Sequence, residues 1–250
     1  LSHILVLTTT VLLFAVEVAI RLDRDAELGD AWVIVATIAP LLLLSWGLWR
    51  RPQWFAWPLQ GHFMGYARYW HGLACAGILF ALCVIWMLPG STAPLSYLPV
   101  LNPLDLTQGL ILLALWRAWT GLGRGAKAVL ASAAFVSLTQ STLRAVYHWS
   151  GAVWGPSLLD TASAQAALTV VWSLLGVTAW VAGSRLQRYA LWLPGAILMG
   201  VVLLKMLLVD RHYLGDLAGV VAVLTVGLLL VGVGYIAPSP PRRISEESVP

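Results

Sequence analysis

Long apolar runs, each closed by a short polar interval, recur along the whole chain. Eight can be drawn, roughly Ile4–Ile20, Ala31–Trp49, His71–Leu88, Leu106–Trp119, Ala128–Tyr147, Ala164–Ala182, Leu191–Val209 and Leu217–Ala237. A helix needs about 20 mostly apolar residues to cross a bilayer, with about 17 as the lower limit. The fourth run is the shortest, and either extends back through PVLNPLDL or is partly re-entrant. Lipid offers no partner for backbone N–H and C=O groups, so every run is predicted helical. The expected fold is all-α, a polytopic transmembrane bundle of about eight spans. Residues 1–238 form its transmembrane domain, and the proline-rich polar stretch 239–250 is predicted to be a disordered cytoplasmic tail.

Composition agrees with the pattern. The chain is 60% hydrophobic and 10% charged, with a mean hydropathy of +0.83, whereas a soluble domain carries about 25% charged residues. That excludes a globular enzyme with one core, and the partners expected are membrane lipids and other membrane proteins, not nucleic acid. Cys75 and Cys83 share one apolar run, have no metal-ligand spacing, and read as small packing residues on one helix face. Most of the 14 tryptophans stand near the ends of apolar runs, as interfacial anchors do. No metal and no cofactor is expected. The chain begins at Leu1, with no basic segment before the first apolar run, and reads as a processed chain or a piece of a longer one.

Charge sorts the connections. Arg50, Arg51 and Arg68, then Arg124 and Lys127 with Arg117 nearby, then Arg185 and Arg188, then Arg242 and Arg243 fall in alternate connections. The remaining connections hold Asp23, Asp25, Glu27, Asp30, Asp105, Asp160, Asp210 and Asp216. Basic residues mark the cytoplasmic side, so both termini are expected on the cytoplasmic side of the membrane the chain crosses. The stretch RPQWFAWPLQGHFMGYARYW, 51–70, reads as an aromatic and basic connector or an interfacial segment.

Ionisable groups within a bilayer are costly enough to demand an account. In LLVDRHYLGD, 207–216, His212 and Asp216 are four apart and would share a helix face. Such a pair can fix an imidazole tautomer for base or nucleophilic work, or it can be part of a hydrated hairpin turn. Lys205 either snorkels to the interface or pairs with Asp210 or Asp216. In TLRAVYHWSG, 142–151, Arg144 and His148 are again four apart. The guanidinium either clamps an anionic headgroup or pairs with an acid such as Asp160. Glu17 and Arg21 read as an i, i+4 helix pair, and Arg117 as snorkelling between Trp116 and Trp119. Gly215 and Gly219 have the spacing of a small-residue helix contact.

Two resemblances bear on these residues. The pattern His212-Tyr-Leu-Gly-Asp216 resembles the last motif of membrane phosphatidic-acid-type phosphatases, which implies a nucleophilic histidine. That family places an arginine six positions before the histidine, where this chain has Met206; its Pro-Ser-Gly-His and Lys-x6-Arg-Pro motifs are absent. Residues 142–239, with Arg144 and His148, Arg188 before Leu191-Trp192, Lys205 before Val209-Asp210, and Gly227 through Tyr235 before Pro238, resemble the C-terminal end of a bacterial polytopic family known as domain of unknown function 2339. Gly219 stands where that family often has arginine. The resemblance implies architecture and topology, within proteins usually longer than this chain, and no activity.

The residues expected to carry function are an outward-facing cluster of Arg144, His148, Lys205, Asp210, Arg211, His212 and Asp216. Its leading role is binding or transport of an anionic lipid or envelope precursor at the outer leaflet. Two alternatives stand beside it: a phosphatase or transferase using His212 with Asp216, and a structural scaffold in an envelope complex.

Overall fold

A computed structural model describes residues 2–25, 28–55, 63–119, 121, 123–213 and 217–236. Among them are eight α-helices and no strand: α1 (Ser2–Asp25), α2 (Asp30–Arg50), α3 (Phe63–Trp86), α4 (Pro103–Trp119), α5 (Arg124–Ser150), α6 (Ala162–Arg185), α7 (Tyr189–Leu208) and α8 (Leu217–Ile236). Each of the eight apolar runs is therefore a helix. Four helical stretches combine the length and apolarity to cross a membrane: Asp30–Gly47, Gly125–Ser150, Ala162–Arg185 and Tyr189–Leu208. Gly72–Trp86 and Gly219–Gly232 are apolar but shorter. The tail 239–250 lies outside the described residues.

The fourth run gains Pro103–Asp105 at its start, while residues 99–102 of PVLNPLDL stay outside the helix. Asn102 Oδ1 accepts the Asp105 backbone N–H at 2.9 Å, and Pro103 fills the first helical position, where a missing N–H costs nothing. Part of the 51–70 connector is also helical, since α3 already starts at Phe63; Pro52–Phe55 is a 3-10 turn, and 56–62 lie outside the described residues.

The chain forms two compact units, Leu1–Ala145 and Val146–Pro250. In the first, Ala31 and Ile38 of α2, Ile78, Leu82 and Ile85 of α3, Leu104, Ile111 and Leu115 of α4 and Ala133 of α5 make one apolar core. Its helices alternate in direction. The start of α2 meets the connection after α3, through Gly29 N–H to Ala93 O at 3.0 Å and Ala31 N–H to Ser91 O at 3.2 Å. Cys75 packs against the core while Cys83 faces outward. Eight residues turn a helix by about 80° beyond two full turns, enough to separate the two thiols onto different faces.

In the second unit α6 packs along α7 and against α8. The α6–α7 contact is glycine-lined: a Cβ on Gly183 would strike the Trp192 backbone, and one on Gly195 would stand 2.8 Å from Gly176 O. Small residues let helix backbones approach this closely in lipid. Gly219 of α8 is buried; Gly215 lies outside the described residues.

Across both units large apolar side chains face outward, among them Phe14, Phe80, Leu207, Leu228 and Val231, while Asp105, Gln108, Arg144, Thr169, Ser173 and Asp210 are buried. A soluble domain would reverse this arrangement; a lipid surround requires it.

Candidate functional site

The first polar centre, in the first unit, is built around Asp105 at the start of α4. Its Oδ1 accepts from Arg144 Nη1 at 2.9 Å, Ser141 Oγ at 2.7 Å and Gln108 Nε2 at 3.0 Å. Its Oδ2 accepts from Asn102 Nδ2 at 2.6 Å and the Val100 backbone N–H at 3.1 Å. Arg144 is fully buried, and the Asp105 side chain is 5% exposed. The guanidinium also donates through Nε to Leu88 O at 2.9 Å and through Nη2 to Ile85 O at 2.5 Å. These acceptors are the Ile85 carbonyl in the last turn of α3 and the Leu88 carbonyl just beyond it, at the helix end where a cation is favoured.

The same end of the unit is tied down by Asp30, whose carboxylate accepts the Ser91 backbone N–H, and by Trp32 Nε1, which donates to Thr92 O at 3.3 Å. Nearby, in the connection before α4, burial pushes the Tyr97 phenol above its ordinary range; the Asp105 charge adds to the rise and Arg144 offsets part of it.

The sequence left Arg144 either clamping an anionic headgroup or pairing with an acid such as Asp160. Its buried guanidinium pairs with an acid, Asp105, and its other donors go to the carbonyls of Ile85 and Leu88. A helix-start signature, Asn-Pro-Leu-Asp at 102–105, was present as a signal for Asp105.

The second centre, in the second unit, joins α6, the end of α7 and the 3-10 turn Asp210–Tyr213. Lys205 Nζ donates to Asp210 Oδ1 at 2.5 Å, Thr169 Oγ1 at 2.7 Å and Gln165 O at 3.2 Å. Thr169 in turn donates to Asp210 Oδ2 at 2.6 Å. The ammonium thus uses its three protons, and the threonine hydroxyl both accepts and donates. The Lys205 side chain is 12% exposed and that of Asp210 is 4% exposed. Lys205 pairs with Asp210, one of the partners its position offered. Thr169 was not foreseen, because a threonine within an apolar run carries no signal of its own.

The other expected residues of this unit are distributed as follows. His212 is exposed, with Nδ1 3.2 Å from Val209 O. Arg211 lies in the same 3-10 turn. His148 is half-buried, with its ring 4.8 Å from that of Tyr147. Asp216 lies outside the described residues, and with it the His212–Asp216 pair. Among the described residues no three His, Cys, Asp or Glu side chains are grouped to hold a metal ion.

At the opposite end of the first unit the basic residues meet tryptophans. Arg117 Cζ stands 5.7 Å from the Trp49 ring, Arg50 Cζ 5.9 Å from Trp46, and Arg51 Cζ 5.5 Å from Trp54. Arg117 therefore reaches across to α2, beyond its own neighbours Trp116 and Trp119. Glu17 and Arg21 form the expected exposed helix pair at 2.8 Å.

Buried ion pairs, outward apolar faces and helices of bilayer length describe a membrane protein. A family model described as "Predicted membrane protein (DUF2339)" matches residues 1–240. The chain belongs to the DUF2339 family. The match runs over nearly the whole chain, whereas the resemblance read from the sequence was confined to its C-terminal part; the α1–α5 half belongs to the family as fully as the α6–α8 half. No curated protein and no solved structure matches the chain. Membership makes the DUF2339 chain a predicted membrane protein of unknown function, and its described residues are all-helical.

Proposed function

We propose that this DUF2339 chain binds an anionic lipid at the acidic end of its second unit, in the outer leaflet of a bacterial inner membrane. Both termini and the arginine-rich connections then lie on the cytoplasmic side, as the positive-inside rule requires. The observation that carries the reading is an open apolar groove of about 660 Å³ lined by Ala166, Ala167, Val170 and Val171 of α6 and Leu217 and Val221 of α8. It lies at the end of α6 and α8 against which the turn Asp210–Tyr213 packs. An acyl chain in the groove puts its headgroup at this turn, whose sequence Asp210-Arg211-His212 carries a guanidinium next to the exposed His212. Lys205 and Asp210 neutralise each other beneath it and hold the turn in place.

The test is the lipid retained by the purified protein, measured by mass spectrometry. Ala167→Trp and Val170→Trp fill the groove, and each is expected to remove the bound lipid while helicity and elution volume stay the same. Arg211→Gln is expected to lower the anionic fraction of what remains. Equal lipid, of the same classes, in the parent and all three variants overturns the reading.

A further inference from the structure

The first unit carries a second, separate feature at its basic end. The C-terminal ends of α2 and α4 meet there, as the Arg117–Trp49 contact shows. Trp46 and Trp49 lie 5.7 Å apart, so Arg50, Trp46, Trp49 and Arg117 form a row of cation, ring, ring and cation. Next in the chain, Arg51 stacks on Trp54 of the 3-10 turn after α2. The three arginines and Trp46, Trp49 and Trp54 are all exposed.

The local charge is one-sided. No aspartate or glutamate occurs in 31–104 or in 106–159, while Arg50, Arg51, Arg68, Arg117, Arg124 and Lys127 all belong to the segments that build this end. A guanidinium is a planar donor suited to a phosphate or carboxylate, and an indole beneath it restricts its rotamers before the anion arrives. Tryptophans of this kind sit at headgroup depth.

We propose that this row is a headgroup site for an anionic phospholipid, with Arg50 and Arg117 holding the phosphate and Arg51 closing its edge. The charge and the interfacial tryptophans together select a lipid: the phosphate meets the guanidinium edges while the acyl chains run down the apolar faces of α2 and α4. Basic pockets between helices on the cytoplasmic side hold anionic headgroups in this manner. The proposal is independent of the lipid groove in the second unit.

The full chain in neutral detergent is titrated with phosphatidylglycerol or phosphatidylcholine, and adducts are counted by native mass spectrometry. Arg50→Gln with Arg117→Gln is expected to weaken the first phosphatidylglycerol adduct about tenfold and to leave phosphatidylcholine unaffected. Lys127→Gln, an equal loss of charge outside the row, is expected to change it by less than about twofold. Arg117→Lys keeps the charge without the planar fork and is expected to fall between. Trp49→Phe keeps an aromatic surface and guards against a variant that merely misfolds; it is expected to weaken phosphatidylglycerol while leaving the elution volume unchanged. Val170→Trp, in the second unit, is expected to leave the arginine-dependent adduct in place, so failure of either lipid reading is seen apart from the other. Equal affinity in the parent and the double-arginine variant, or equal loss in Lys127→Gln, overturns the proposal. So does an acidic peptide that displaces the lipid more tightly than phosphatidylglycerol itself binds.

Discussion

Lys205, Thr169 and Asp210 act as one unit because each leaves the others short of a partner if removed. Lys205→Met strands a carboxylate that is 4% exposed, and breaking a buried pair from one side costs about 3–5 kcal/mol. Thr169→Val removes a hydroxyl that serves both charges and is expected to cost about 1–3 kcal/mol. Lys205→Met with Asp210→Leu removes both charges, so the double variant is expected to melt above either single one. A thermal-melt series in detergent checks this; additive losses would mean that the three groups do not share one network. Half of the arrangement is legible from sequence. A lysine just before the end of an apolar run and an aspartate just after it are natural partners once the helix stops, as α7 does at Leu208. Arg144 and Asp105 stand 39 residues apart, and only the packing of α5 beside the start of α4 joins them.

Helix contacts set a different test, because glycines that look alike in sequence sit in unlike places. Gly195 and Gly183 face the backbone of the opposing helix, with Ala179 C 2.9 Å from a Cβ built on Gly195. Gly200, five residues further along α7, has nothing within 4 Å. Gly195→Ala and Gly183→Ala are therefore expected to lower the melting temperature. Gly200→Ala is expected to leave it unchanged or raise it, since alanine favours a helix over glycine by about 1 kcal/mol. Equal shifts at all three positions would dissolve the proposed close contact. The eight helices were readable because apolar runs of this length permit little else in lipid. The contact faces were not: with 22 glycines in the chain, spacing singled out Gly215 and Gly219, whereas α6 and α7 cross at Gly176, Gly183 and Gly195. Which glycine meets a neighbour depends on helix rotation, and that is fixed by groups elsewhere along the chain.

At the scale of the whole molecule, each unit by itself segregates charge along its helices. In the first, Asp30 and Asp105 lie at one end, with Arg50, Arg51 and Arg117 at the other. In the second, Asp210 meets the start of α6, while Arg185 and Arg188 flank the opposite end, where α6 turns into α7. The alternation is legible in the sequence; that Asp105 and Asp210 are buried in ion pairs while Arg50, Arg51, Arg117 and Arg188 are exposed is not. If those arginines face the cytoplasm, as proposed, the acidic ends of both units must open to the other compartment. Single cysteines in a Cys75→Ala, Cys83→Ala background make the point testable at exposed positions. A membrane-impermeant maleimide added to intact cells is expected to label Ala93→Cys and Leu159→Cys. It is expected to reach Gly125→Cys and Arg188→Cys only after the cells are opened. Labelling of Ala93→Cys and Leu159→Cys from opposite sides would remove the common orientation, and with it the outer-leaflet lipid site. The arginine–tryptophan row would survive that result as a binding site, but its leaflet would have to be reassigned.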